Sequence, residues 1–567
     1  MKKTLKLILI SVLTIIATGL WLAALFHISN LWRGDSDNAF PVIAGKAILQ
    51  GNYLLKGYYL SSLVTYYPVD LYLNALAVMA LGFRPLLIHI IPVFIFLALT
   101  VAAVIYVKDA NGDRFYGDGL ALKIGILMVF IFLAMPVKAF AFFMLQELHG
   151  STIVLSLISI LLFNRFLRKA PGGFLDLFFG FSVLTAALIN DNLALIICAV
   201  PILTVLAMFF YADFKSGTKK NRYLIAASAV IAAVIFQKII IYAIRASGGF
   251  KLTAGLQVAF IRLKYLPKNI YFYFEGLLRL LDANFFGKEL LNGFTFIIMA
   301  KFVIIGILLI YTVVKITGRI RRRLKDKDTN ENNFNDFVDF TLLSGTLFLT
   351  LAFLLSDIAI SKASARYLTP VIVYGLILAF RNIPEVIYKS KYYDRISFKI
   401  IGAVIIIVYA SSFIYAALTP IPKSPERALG KWLLKRHLTY GYGSYFDSQV
   451  ITLMTDGKAR VRPVFAPSGR LIQYKWLSRR GWYRKKGFFV LYSKNFIYGS
   501  VNKESIIDTF GKPSAVYTED FQGTIGRAYG RPDGKYTMPP YVIMVYKDGI
   551  RIDGTHGKHS NKHKAIR

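Results

Sequence analysis

Cysteine is almost absent from this 567-residue chain: the single Cys198 lies inside an apolar run. An intramolecular disulfide and a cysteine-ligated metal site are both excluded. Charge is scarce as well, at 17% of residues, and acid is the scarcer kind, with 31 Asp and Glu against 68 Lys and Arg. A soluble globular domain carries about a quarter of its residues as charges, so this composition is not of that class. No soluble basic module of a recognisable type appears, which argues against a nucleic acid partner.

What is abundant is apolar: 56% of residues are hydrophobic and the mean hydropathy is +0.53. That composition predicts a polytopic α-helical membrane protein. The net charge of +37 suits anionic lipid surfaces and phosphate- or carboxylate-bearing substrates, and equally a general surface adaptation.

Apolar runs of roughly 17 to 25 residues are long enough to span a bilayer as helices. Eleven occur, near 5–28, 85–107, 120–137, 150–166, 174–190, 193–211, 223–243, 294–316, 338–356, 368–388 and 398–419. The opening "MKKTLKLILISVLTIIATGLWLAALF" has the basic start of a signal peptide. Its apolar core is too long and no small-residue cleavage site follows, so it reads as an uncleaved first helix. Lys2, Lys3 and Lys6 share their side with "NRFLRK", "FKSGTKKNR", "KITGRIRRRLKDKD" and "KSKYYDRISFK", which places that side in the cytoplasm. The outer face then carries the first loop (about 30–84), a loop near 138–149, the turn at Asn190 and Asp191, a long loop at 244–293, a loop around 357–367 and everything after 420.

In the first loop, "AFPVIAGKAILQG" has helical spacing and ends in a glycine, and "YYPVDLYLNALAVMALGF" begins a second helix with Asp70 complementing its dipole. Both are expected to lie along the membrane. The outer loop "KYLPKNIYFYFEGLLRLLDANFFGKELLNG" interleaves aromatics, leucines and basic residues in an interfacial amphipathic pattern. Past 420 the pattern changes. "GSYFDSQVITLMTDGKARVRPVFAP" predicts a hairpin about Asp456 and Gly457, "KKGFFVLYSKN" and "PPYVIMVYKDGIRI" predict strands, and "NKESIIDTFGKP" a short capped helix. The expected organisation is a membrane domain over 1–419, an extracytoplasmic α+β domain over 420–555 and a disordered basic tail over 556–567.

Several residues could carry chemistry. Asp37, in "DSDN", reads either as a solvated loop residue or helix N-cap, or as a carboxylate at the membrane boundary placed to deprotonate an acceptor hydroxyl or bind a cation. Glu147 and His149, in "LQELHGST", could bind a divalent cation, although two ligands do not define a metal site and a structural hydrogen bond fits equally. Asp191, in "LINDNLALI", is a carboxylate at an outer turn, with capping of the next helix as the alternative role. "SKASARYLTP" sets Lys362 and Arg366 four apart, on one face if that loop is α-helical. The pair reads as interfacial snorkelling or as a clamp for a lipid phosphate.

Taken together these residues resemble the GT-C superfamily, polytopic glycosyltransferases that use polyprenyl-phosphate sugars on the outer face and include the protein O-mannosyltransferases and the aminoarabinose transferase of lipid A. The resemblance rests on the first-loop Asp37, with Asp35 second, on the two interfacial helices after it, and on "RYLTP" at Arg366–Pro370. "SDNAF", "LLRLLDANFFG" and "YGYGSYFDSQVITLMTDGKARVRPV" look like a bacterial branch of that superfamily. The resemblance implies that Asp37 is the catalytic carboxylate and that Arg366, with Lys362 and Tyr367, lies near the donor phosphate. In the mannosyltransferases glutamate follows the first-loop aspartate; Asn38 stands there in this chain.

The resulting expectation is an inverting membrane glycosyltransferase of the bacterial cytoplasmic membrane. It would take a polyprenyl-phosphate-sugar donor and a cell-envelope acceptor, with Glu147, His149 and Asp191 shaping the sugar pocket or holding a cation. No cofactor is defined by the sequence. The alternatives are a flippase of lipid-linked sugars, which should show inverted repeats and polar residues near the midplane, and a glycan-binding membrane scaffold.

Overall fold

The computed structural model describes residues 2–112, 120–146, 149–168, 173–215, 221–253, 258–325, 334–389, 396–494, 499–521, 524–525, 536–537 and 540–552. Helix α1 (Lys2–Ser29) leads into a folded loop that holds α2 (Ser36–Leu49), strand β1 (Tyr58–Ser61) and α3 (Val69–Leu81). A bundle follows, made of α4 (Leu87–Gly112), α5 (Leu120–Phe132), the short α6 (Lys138–Met144), α7 (Gly150–Arg168), α8 (Phe174–Asn190), α9 (Val200–Lys215) and α10 (Asn221–Ala246). Strand β2 (Lys251–Thr253) and α11 (Leu266–Leu280) precede α12 (Gly293–Lys325), α13 (Phe334–Leu355), α14 (Thr369–Lys389) and α15 (Ile396–Leu418).

Each of the eleven apolar runs is a helix. Among the described residues nine helices are long and apolar enough to cross a bilayer, while α5 and α8, of 13 and 17 residues, are shorter. Only 6% of the apolar stretch of α1 and 11% of that of α15 is buried inside the protein. So much exposed Leu, Ile and Val is stable only against hydrocarbon. Helices α7 and α14, each 78% buried, form the centre. The protein is a polytopic α-helical membrane protein with a C-terminal α+β region.

That region contains α16 (Pro425–Lys435), β3 (Tyr440–Gly443), α17 (Tyr445–Met454), β4 (Arg460–Phe465), β5 (Ile472–Gln473), β6 (Ser478–Arg479) and β7 (Gly487–Ser493). It continues with α18 (Lys503–Phe510), β8 (Ala515–Glu519), β9 (Thr524–Ile525), β10 (Tyr536–Thr537) and β11 (Tyr541–Ile550). Six strands form a mixed sheet in the order β5-β4-β3-β7-β11-β8, with β3 parallel to both β4 and β7. The two strands expected from "KKGFFVLYSKN" and "PPYVIMVYKDGIRI" are β7 and β11, and the capped helix is α18, where Asn502 accepts from the Ser505 amide at 2.8 Å.

The hairpin expected about Asp456 and Gly457 does not form. Residues 445–454 are instead α17, the crossover helix between parallel β3 and β4, and Asp456 and Gly457 end it at φ +53° and +79°. Tyr445, Asp447, Ser448, Gln449, Val450, Ile451, Thr452 and Leu453 are all buried. A helix enclosed on every side has no polar stripe, so its apolar positions do not betray a period of 3.6.

Helices α2 and α3 cross closely at Gly45, where an added Cβ would sit 2.7 Å from the Ala75 amide nitrogen. The glycine expected to end α2 is Gly51, at φ +86°, one residue past the Gln50 cap. The apolar core continues across residue 420: Ile28 and Ile88 share a cluster with Val450 and Leu453, and Phe40, Tyr58 and Leu71 share another with Tyr442, Leu477 and Tyr483. A small sheet adds backbone pairing, since β1 pairs with β2 on one side and β6 on the other. The tail at 556–567 lies outside the described residues.

Candidate active site

The site begins at the first turn of α2. The Asp35 carboxylate accepts from the amides of Asp37 at 2.9 Å and Asn38 at 3.2 Å, and Asn38 Oδ1 accepts from the Asp35 amide at 3.1 Å. This reciprocal cap satisfies donors that would otherwise be orphaned at the helix start. Capping therefore falls to Asp35, and Asp37 is released from it. Asn38 Nδ2 donates to the Gln146 carbonyl at 2.7 Å, which ties α2 to the segment after α6.

Asp37 is half-buried, and its Oδ1 accepts from the Tyr445 hydroxyl at 2.5 Å. No described residue donates to Oδ2. Burial raises the Asp37 pKa above its ordinary value, while the Tyr445 hydrogen bond and the nearby Arg366 charge pull the other way. Burial first, and the Asp37 charge second, push Asp35 up to about 7. Two carboxylates this close in a partly dehydrated site hold a proton near neutrality.

Arg366 comes from a 3₁₀ turn, Lys362–Leu368, capped by Ser361, whose hydroxyl accepts from the Ala363 amide at 3.2 Å. With three residues per turn, positions four apart point in different directions. Lys362 and Arg366 consequently do not share a face: Lys362 pairs with Glu275 of α11 at 3.0 Å, while Arg366 Nη2 donates to the Tyr367 hydroxyl at 2.9 Å.

The Tyr367 ring lies against His149, with centroids 5.5 Å apart. His149 Nδ1 and Asp191 Oδ2 are 2.6 Å apart, and Thr152 donates to the same oxygen at 3.3 Å. Asp191 Oδ1 meanwhile accepts from the Leu193 amide at 2.9 Å, so the capping role and the histidine contact coexist on one carboxylate. Beside it, Asn190 Nδ2 and Ser151 donate to Asp70 Oδ2 at 3.0 and 2.9 Å. Asp70, Asn190 and Asp191 are all buried. Glu147 lies outside the described residues, and among those described no group of three or more His, Cys, Asp or Glu is arranged to hold a metal ion.

The structure thus gathers Asp37, Arg366, Tyr367, His149 and Asp191, residues separated by as much as 330 positions in the chain (367 − 37). The sequence reading missed Tyr445 and the hydrogen-bonding role of Asp70. It also missed the grip of the C-terminal region on the first loop. Arg33 pairs with Glu426 and Asp447 and reaches the Tyr541 hydroxyl at 3.2 Å. Ser36 donates to the Tyr445 carbonyl and accepts from the Gln449 amide at 3.0 Å. Contacts across some 400 residues leave no spacing signal.

No family model matches this sequence, and no curated protein matches it. Among solved structures, the chain is similar to the archaeal oligosaccharyltransferase AglB from Archaeoglobus fulgidus, solved in complex with an inhibitory peptide and a dolichol-phosphate. The identity is 11% over 84% of this chain and 69% of that one, with a TM-score of 0.42.

Proposed function

We propose that this protein is an inverting glycosyltransferase of the GT-C type, moving a sugar from a polyprenyl-phosphate donor to a cell-envelope acceptor at the outer face of the bacterial cytoplasmic membrane. The observation that carries the reading is a half-buried carboxylate, Asp37, with one oxygen to which no described residue donates and an arginine from a distant element close by. Asp37 takes the proton from an acceptor hydroxyl as that oxygen bonds to the anomeric carbon from the face opposite the donor phosphate. The bond from carbon to phosphate oxygen breaks, the lipid phosphate leaves with the electron pair, and Arg366 offsets the charge that develops on it. Tyr367, His149 and Asp191 line the sugar side. The basic loops set the orientation, with the site outside.

The test is sugar transfer in membranes from a panel of polyprenyl-phosphate monosaccharides, comparing wild type with Asp37→Asn. The variant keeps the size of the side chain and its acceptor for Tyr445, and transfer is expected to fall by about 100-fold or more. Equal transfer by both proteins would remove Asp37 as the base. No transfer by either across the panel would favour the flippase or scaffold.

A further inference from the structure

We infer that the C-terminal region is part of the catalytic machinery, with Tyr445 a positioning residue whose hydroxyl holds Oδ1 of Asp37 and leaves Oδ2 for the acceptor. This rests on the reading of Asp37 as the base, and it gives the C-terminal region a role in the chemistry.

The contact is built deliberately. Tyr445 is buried at the first position of α17, directly after the turn that leaves β3. Its ring is held by Phe446 and Tyr474, with centroids 5.2 and 5.0 Å away. Its carbonyl is held by Ser36, one residue before Asp37. Ring and backbone are therefore fixed by contacts other than the hydrogen bond from the hydroxyl to Asp37. The groups facing Asp37 are Asp35 on its own turn, Arg366 from the 3₁₀ turn and Tyr445 from α17; Tyr66 and Asp35 face Tyr445, and Arg33 faces Asp35. Of these, Tyr445 and Arg366 favour the ionised base while burial opposes it. A hydrogen bond to a charged group stabilises that charged form, so removing it should make Asp37 harder to ionise.

The experiment titrates carboxyl bands of the purified full-length protein by infrared spectroscopy, in wild type and Tyr445→Phe, with Asp37→Asn assigning the Asp37 band. In parallel, transfer from an undecaprenyl-phosphate hexose is followed against pH. Tyr445→Phe should move the Asp37 titration up by about one unit or more. The acidic limb of the transfer profile should move up with it. Ser36→Ala loosens the same docking yet keeps the hydroxyl, and should leave the titration in place. An unmoved Asp37 band in Tyr445→Phe, or an equal shift in Ser36→Ala, overturns the inference and leaves the base assignment standing. Unchanged transfer in Asp37→Asn overturns that assignment while the infrared shift stands or falls separately.

Discussion

Replacing Arg33 by methionine should weaken the hold of the C-terminal region on the first loop, and the cost can be worked from its contacts. The guanidinium is the shared partner of Glu426 and Asp447, both about 1% exposed. Methionine keeps much of the volume and removes the charge, leaving two buried carboxylates without their counter-ion. Breaking a buried pair from one side costs about 3–5 kcal/mol. Asp447 retains hydroxyl donors, Ser444 at 2.6 Å and Tyr541 at 3.0 Å, and Glu426 retains Ser424 at 2.8 Å. Those bonds place the expected loss at the lower end, about 3 kcal/mol. Thermal unfolding of the full-length protein in detergent, read by proteolytic release of the C-terminal region, measures it. The triple variant Arg33→Met, Glu426→Gln, Asp447→Asn should recover most of the loss, because no unpaired charge remains. A loss below about 1 kcal/mol for Arg33→Met, or a triple variant as weak as the single one, would refute the reasoning.

Two further outcomes are expected. Asp35 has a folded-state pKa near 7, above its ordinary 3.8, so between those values the native state holds a proton that the unfolded chain has lost. Stability should therefore fall as pH rises from about 4 to about 7, and Asp35→Asn, which keeps the cap, should flatten that slope in thermal melts taken across the range. Gly45→Ala pushes a methyl against the backbone of α3 at 2.7 Å and should destabilise the protein by about 1–3 kcal/mol in the same assay; a neutral result would show that the α2–α3 crossing can open.

The membrane helices were legible because their signal is local: a run of some 20 apolar residues has few other ways to satisfy its backbone in lipid. Strands β7 and β11 were legible from composition and alternation, and α18 from Asn502 at its cap. What failed was whatever depends on the far side of the molecule. Helix α17 looked like a strand because both of its faces are covered. Lys362 looked like a partner of Arg366 because an α-helical repeat was assumed where the backbone winds at three residues per turn. Asp35 and Asp37 lie two apart in sequence and are equal in type, and only the geometry of the helix start assigns one to the cap and leaves the other with an oxygen to which no described residue donates.

The grip on the first loop also sets an order of events during synthesis. Arg33 and Asp447 are 414 positions apart, so at about 5–20 residues per second the loop waits on the order of 20–80 s after its own emergence before its partner exists. Throughout that interval the bundle can insert helix by helix, while the neighbourhood of Asp37 stays unfinished. A ribosome that stalls anywhere before residue 445 yields an inserted polypeptide in which Asp37 lacks the Tyr445 hydroxyl and Arg33 lacks Asp447.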